Sequence, residues 1–88
     1  MLAHRPIKLL KVDAEGAEPE VLQGACDLLP YCRHVVVDAG PERGVEQVST
    51  APEVINYMAA SGFDVVQVDP SRLVIAFRNR QVAAAAAE

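Results

Sequence analysis

The sequence is short of basic residues: eight Lys and Arg stand against twelve Asp and Glu, for a formal charge of −4. That balance argues against nucleic acid or an anionic membrane as the main partner. It also lacks any apolar run near the roughly 20 residues that span a bilayer, so no membrane role is expected. No signal peptide is visible, because His4, Arg5, Pro6 and Lys8 interrupt the N-terminus. Cysteine is limited to Cys26 and Cys32, whose spacing fits no zinc, haem or redox motif. They read as reduced thiols packed as small apolar groups, which suits a cytoplasmic setting. His4 and His34 have no sequence neighbours that complete a triad or a metal set. None of the five glycines lies in a glycine-rich loop, and no internal repeat is present.

What remains is a chain of 88 residues, 51% of them hydrophobic. That suffices for one small globular domain with a modest core. The stretch that organises it is Ile7–Ala25, IKLLKVDAEGAEPEVLQGA. Ile7–Ala14 is nearly continuous in apolar residues, as in a parallel strand covered on both faces. Period two puts Ile7, Leu9, Lys11 and Asp13 on one face and Lys8, Leu10, Val12 and Ala14 on the other. Lys11 is then either a snorkelling stem or an ion-pair partner that orients Asp13. Gly16 permits a tight turn. Pro19 suits the first turn of a helix, and Glu18 and Glu20 complement the helix dipole. Val21, Leu22, Ala25, Leu28 and Leu29 form its apolar stripe, with Glu20, Gln23 and Asp27 on the wet side. Gly24 reads as a close-packing site within that helix, and Pro30 as its stop.

Further on, His34–Ala39 reads as a second buried strand with Asp38 at its carboxyl end. Gly40–Val48 is a polar surface loop able to border a pocket. Thr50 and Glu53 have the spacing of a capping box that opens a helix from about Ala51 to Ser61. Its stripe is Val54, Ile55, Met58 and Ala59, and Gly62 caps its end. Asp64–Asp69 and Arg72–Arg78 are two more strands. Their short Pro70–Ser71 connection requires an antiparallel pair. Tyr31 and Tyr57 read as partly buried packing residues. Residues 1–82 are taken as the domain and 83–88 as an alanine-rich tail.

The order is strand, helix, strand, helix, strand, strand. Right-handed crossovers that step the same way put both helices on one face of the sheet. The other face is then bare, although Ile7–Val12 and Val35–Val37 look buried on both sides, and the first strand is an open edge. The sequence therefore reads as half of a larger sheet.

The segment Leu10-Lys11-Val12-Asp13-Ala14-Glu15-Gly16-Ala17-Glu18, continuing through Glu20-Val21-Leu22-Gln23-Gly24-Ala25, resembles the signature of the FkbM-type methyltransferases. In that family an "LKiDvEGaE…vLkGa" segment precedes a valine-rich strand ending in an acid, a helix ending in Gly-Phe (here Gly62-Phe63) and a strand pair. The resemblance covers about Ile7 to Phe77 and departs at Asp38, where the family usually has glutamate. It implies an α/β fold: part of a Rossmann-like class I methyltransferase sheet, its last strand antiparallel and inserted between the two before it. It also implies S-adenosylmethionine as cofactor. The glycine-rich loop and the ribose-binding acid of that fold belong to a half absent here, so no adenosyl contact carries over.

Methyl transfer to a hydroxyl needs a carboxylate that takes the acceptor's proton, and nearby acids favour a cationic sulfonium. Asp13 is the candidate for orienting acceptor or cofactor, and Glu15 the candidate base. Lys11, Gly16, Glu18 and Asp38 are candidates for lining the pocket, Glu18 as a supporting or capping acid. The reading is the C-terminal portion of a methyltransferase acting on a hydroxyl of a small molecule or sugar, inactive as an isolated chain. Two alternatives stand beside it. One is a magnesium site of Asp13, Glu15 and Glu18 for phosphoryl transfer. The other is a non-catalytic interaction module that self-associates through the uncovered sheet face.

Overall fold

A computed structural model describes residues 6–43 and 48–81. The alanine-rich tail and the start of the N-terminal lead-in lie outside the described residues, as do residues 44–47 of the polar loop. The protein is mixed α/β. Strand β1 (Ile7–Val12) leads into helix α1 (Glu18–Gly24), a single 3-10 turn (Leu29–Tyr31) and strand β2 (Cys32–Asp38). A two-stranded ribbon, β3 (Pro41–Arg43) with β4 (Val48–Ser49), precedes helix α2 (Ala51–Ala60). Strands β5 (Phe63–Asp69) and β6 (Val74–Asn79) complete the fold.

The main sheet is open and four-stranded, in the order β1-β2-β6-β5. β1 runs parallel to β2, while β6 is antiparallel to both β2 and β5. The carboxyl ends of β1, β2 and β5 therefore share one edge with the amino end of β6. Helix α1 packs on β1 and α2 on β5, and the two helices touch, so both lie on one face. Leu22 of α1 and Val54 and Met58 of α2 bury themselves against Val12, Val35, Val37, Ile75 and Phe77. Gly62 takes a positive φ of 95° at the end of α2, as a helix cap requires.

Several expectations are corrected. The first strand is not buried on both faces: Lys8 and Lys11 are exposed, and Leu9 is 57% exposed. Val36 is half-buried while Val35 and Val37 are fully buried, so burial follows the helix-covered face. Of the two alternatives for Lys11, the ion pair does not form: Lys11 and Asp13 are both exposed and unbridged. α1 ends at Gly24 rather than running to Leu29. Glycine is a poor helix former, and past it the chain tightens into turns and the 3-10 turn Leu29–Tyr31. Its expected stripe breaks accordingly: Leu22 and Leu29 are buried, but Val21 and Leu28 are exposed. Gly24 is no close-packing site, because a Cβ there would meet nothing within 4 Å. Part of the expected surface loop forms the β3–β4 ribbon. Cys32 is buried but Cys26 is exposed, and both thiols are free.

Two side chains close the end of the sheet away from the strands' carboxyl edge. The Asn79 amide donates to the carbonyls of Pro30 and Cys32 at 3.3 and 3.0 Å, joining the end of β6 to the start of β2. The Arg80 guanidinium donates to the Ala59 carbonyl, the Phe63 carbonyl and Asp64 Oδ1, fastening the end of α2 to the start of β5. Asn79 and Cys32 are buried, so loss of the amide strands the Cys32 carbonyl without a partner. Asn79→Leu is expected to destabilise the fold by about 2 kcal/mol. Ile75→Val, which removes one methylene from the core, should cost about 1 kcal/mol. Urea unfolding followed by circular dichroism checks both values, and an Asn79→Leu protein as stable as wild type would refute the first.

Candidate functional site

The turn after β1 is built from two consecutive residues in the left-handed region. Glu15 has φ 50° and Gly16 φ 102°. The Ala17 N–H closes the turn onto the Ala14 carbonyl at 3.1 Å, as in a type I′ turn. Glycine takes this backbone without cost, whereas Glu15 does not, and a non-glycine residue held there stores on the order of 1 kcal/mol.

The neighbouring carboxylate holds the turn in place. Glu18 is 1% exposed, and its Oε2 accepts the backbone N–H groups of Gly16 at 2.9 Å and Ala14 at 3.1 Å. Its Oε1 accepts the hydroxyl of Thr50 at 2.8 Å. Burial alone pushes this carboxyl up. Donation from Gly16, Thr50, its own N–H and Ala14 outweighs that effect and holds it below the usual glutamate range. Glu18 is thus a buried anion tied to three segments, a role the dipole argument at the helix start did not anticipate.

Thr50 also departs from expectation. It precedes α2, but its side chain makes no capping bond, and no capping box with Glu53 forms. Ser49 caps instead: its hydroxyl accepts the Ala51 N–H at 3.0 Å and donates to the Ala39 carbonyl at 2.7 Å. Thr50, read from the sequence only as a helix cap, is a buried partner of Glu18 that sequence reasoning missed.

Residues Asp13 and Asp38 follow the paired positions Val12 and Val37, so they end neighbouring strands on the shared edge. By alternation both belong to the sheet face without helices, together with Lys11. Asp13 and Glu15 are exposed, while Asp38 is half-buried and accepts the Gly40 N–H at 3.2 Å. Asp69 ends β5 on the same edge and organises the β5–β6 turn. Its Oδ1 accepts the Ser71 hydroxyl and the N–H groups of Ser71 and Arg72. The Ser71 hydroxyl is the main reason its carboxyl lies below the ordinary range. Leu73, φ 56°, sits in that turn, and its carbonyl accepts the Ala39 N–H. Among the described residues, the two non-glycine residues with positive φ, Glu15 and Leu73, therefore both lie on the edge that carries Asp13 and Asp38.

This arrangement does not make the magnesium site. Among the described residues no three His, Cys, Asp or Glu side chains gather to hold a metal, and both Glu18 oxygens are already occupied by protein donors.

The depressed Glu18 carboxyl has a direct consequence for stability. The unfolded chain binds a proton at an ordinary value near 4.3, above the folded value. The stability that Glu18 contributes is therefore full at neutral pH and is lost as pH falls through the folded value. Acid titration of the unfolding free energy should show this loss, and Glu18→Gln should flatten that part of the profile. An identical acid profile in the two proteins would remove the role assigned here.

Among the described residues no helix is long and apolar enough to cross a membrane. No curated relative and no solved structure matches the chain. A family model does match, described as "Methyltransferase FkbM domain", over residues 1–65. That span takes in β1, the Glu15–Gly16 turn, α1, β2, the ribbon and α2, and so includes every acid of the shared edge except Asp69. The chain belongs to the FkbM methyltransferase domain family.

Proposed function

We propose that this chain is the C-terminal portion of an S-adenosylmethionine-dependent methyltransferase that acts on a hydroxyl of a small molecule or sugar. The observation that carries the reading is where the family's segment ends up. Its acids collect on the carboxyl edge of a parallel strand pair, the position at which open α/β sheets bind ligands. The strand order supports it as well. In a Rossmann-like class I methyltransferase, β1, β2, β5 and β6 would be the fourth to seventh strands, with β6 inserted antiparallel between β2 and β5.

Bound S-adenosylmethionine supplies an electrophilic methyl group on a cationic sulfonium. The chemistry of this edge suits such a cation, because it gathers four acidic side chains, Asp13, Glu15, Asp38 and Asp69. The chain's own task is to hold the acceptor in line and to take its proton. Glu15, exposed at the tip of the turn, is the base. Asp13, one strand position past buried Val12, orients acceptor or cofactor. Gly16 keeps the turn free of a side chain beside Glu15. Asp38 and Lys11 border the same region on the helix-free face. Glu18 has no free oxygen to act on substrate and supports the turn instead. The glycine-rich loop that would hold the adenosyl group has no counterpart among the five glycines.

Calorimetry on the 88-residue chain should show weak or no S-adenosylmethionine binding. Joined to the glycine-rich half of an FkbM-family methyltransferase, the chain should bind the cofactor and transfer labelled methyl to hydroxyl acceptors. In that fusion Glu15→Gln should lower transfer by about 100-fold or more, with cofactor affinity retained. Tight binding by the chain alone would overturn the half-domain reading, and an unchanged rate in Glu15→Gln would remove Glu15 as the base.

A further inference from the structure

The hydrogen bond between Thr50 and Glu18 spans 32 residues and joins the β1–α1 turn to the segment that opens α2. On one side lies the β1–α1 turn with Asp13 and Glu15. On the other lie Asp38 and the Ser49–Thr50 pair that opens α2. Thr50 stands where a threonine ordinarily caps its own helix, yet Ser49 performs that task and leaves the Thr50 hydroxyl to Glu18. The same carboxylate accepts the N–H groups on both sides of Glu15, from Ala14 and Gly16. The left-handed backbone of Glu15 is therefore bracketed by two bonds to one carboxylate, and that carboxylate is anchored from α2.

We propose that Thr50 and Glu18 are positioning residues for methyl transfer: through their hydrogen bond the start of α2 sets the backbone conformation in which Glu15 faces the acceptor. The proposal rests on the reading of Glu15 as the base. A buried acid that only stabilised the fold would need any set of donors. Here two of the three donors from other residues flank the strained residue, and the third comes from the segment that opens α2. Displacing α2 then pulls on the carboxylate and releases both N–H groups. The strain at Glu15 favours relaxation of the turn once they are released.

The test needs no methyl transfer, so it can fail or succeed independently of the functional reading. Amide hydrogen exchange is followed by NMR in the 88-residue chain and in its Thr50→Val, Thr50→Ser and Ile75→Val variants. In Thr50→Val the Ala14 and Gly16 amides should exchange at least tenfold faster. Those of Val37 and Phe77 should change no more than in Ile75→Val. Thr50→Ser, which keeps the hydroxyl, should restore Ala14 and Gly16 to within twofold of wild type. Exchange that rises equally across the sheet, or Ala14 and Gly16 amides unmoved by Thr50→Val, would overturn the proposal.

Should Thr50→Val fail to fold, the wild-type chain decides. The Ala14, Gly16 and Thr50 amide shifts should follow one common carboxyl titration. They should not follow the titrations of Asp13 or Glu15 on the turn, Glu20 on α1, Asp38 on β2 or Glu53 on α2. Three separate midpoints, or a common one that persists in Glu18→Gln, would overturn the coupling.

Discussion

A buried carboxylate must be hydrogen-bonded or lose its charge, and that constraint shapes this molecule. Glu18 meets it by accepting two N–H groups from the turn behind it and a hydroxyl from a helix 32 residues on. Charge-assisted bonds of this kind contribute about 1.5–3 kcal/mol each, enough to hold a glutamate at a positive φ. The turn, the start of α1 and the start of α2 are thereby one unit. The strand ends gain a fixed frame at the place where the exposed acids stand.

The rest of the structure divides around that frame. On the helix-covered face, Val12, Val35, Val37, Ile75 and Phe77 pack under Leu22, Val54 and Met58. On the other face, Leu9, Lys11 and Arg78 are exposed and Val36 is only half-buried. The chemistry-bearing residues belong to this second side and to the edge, while the support lies beneath them. Asp13 and Glu15 are exposed. Glu18, the most thoroughly bonded acid, is buried. Family membership and this placement together make methyl transfer the reading that uses every acid of the turn.

Much of this was legible in the sequence. The β1–α1 motif, the antiparallel β5–β6 pair, the Gly62 cap and the strand-end acids Asp13 and Asp38 all follow from local chemistry. Glycine supplies the positive φ, a short connection forces an antiparallel pair, and alternation sets the faces. The failures share a cause. Capping geometry is nearly degenerate in a Ser49-Thr50 pair, so spacing gave the task to Thr50 when the chain gives it to Ser49. Periodicity carried α1 through Gly24, although little packs on Val21 or Leu28 to extend the helix. Asn79 and Arg80, which tie element ends together, sit in no motif.

What the sequence determined by itself is local: which segments become strand or helix, where the chain must turn, and that acids cluster at the end of the first strand. What only the tertiary structure decided is which of those acids is exposed and which is buried and bonded. Exposure and hydrogen-bond partners depend on segments far apart in the chain, and Glu18 acquires its third donor from Thr50 only when α2 docks beside α1. The physical reason is that burial is a property of packed neighbours, whereas propensity and spacing are properties of the chain alone.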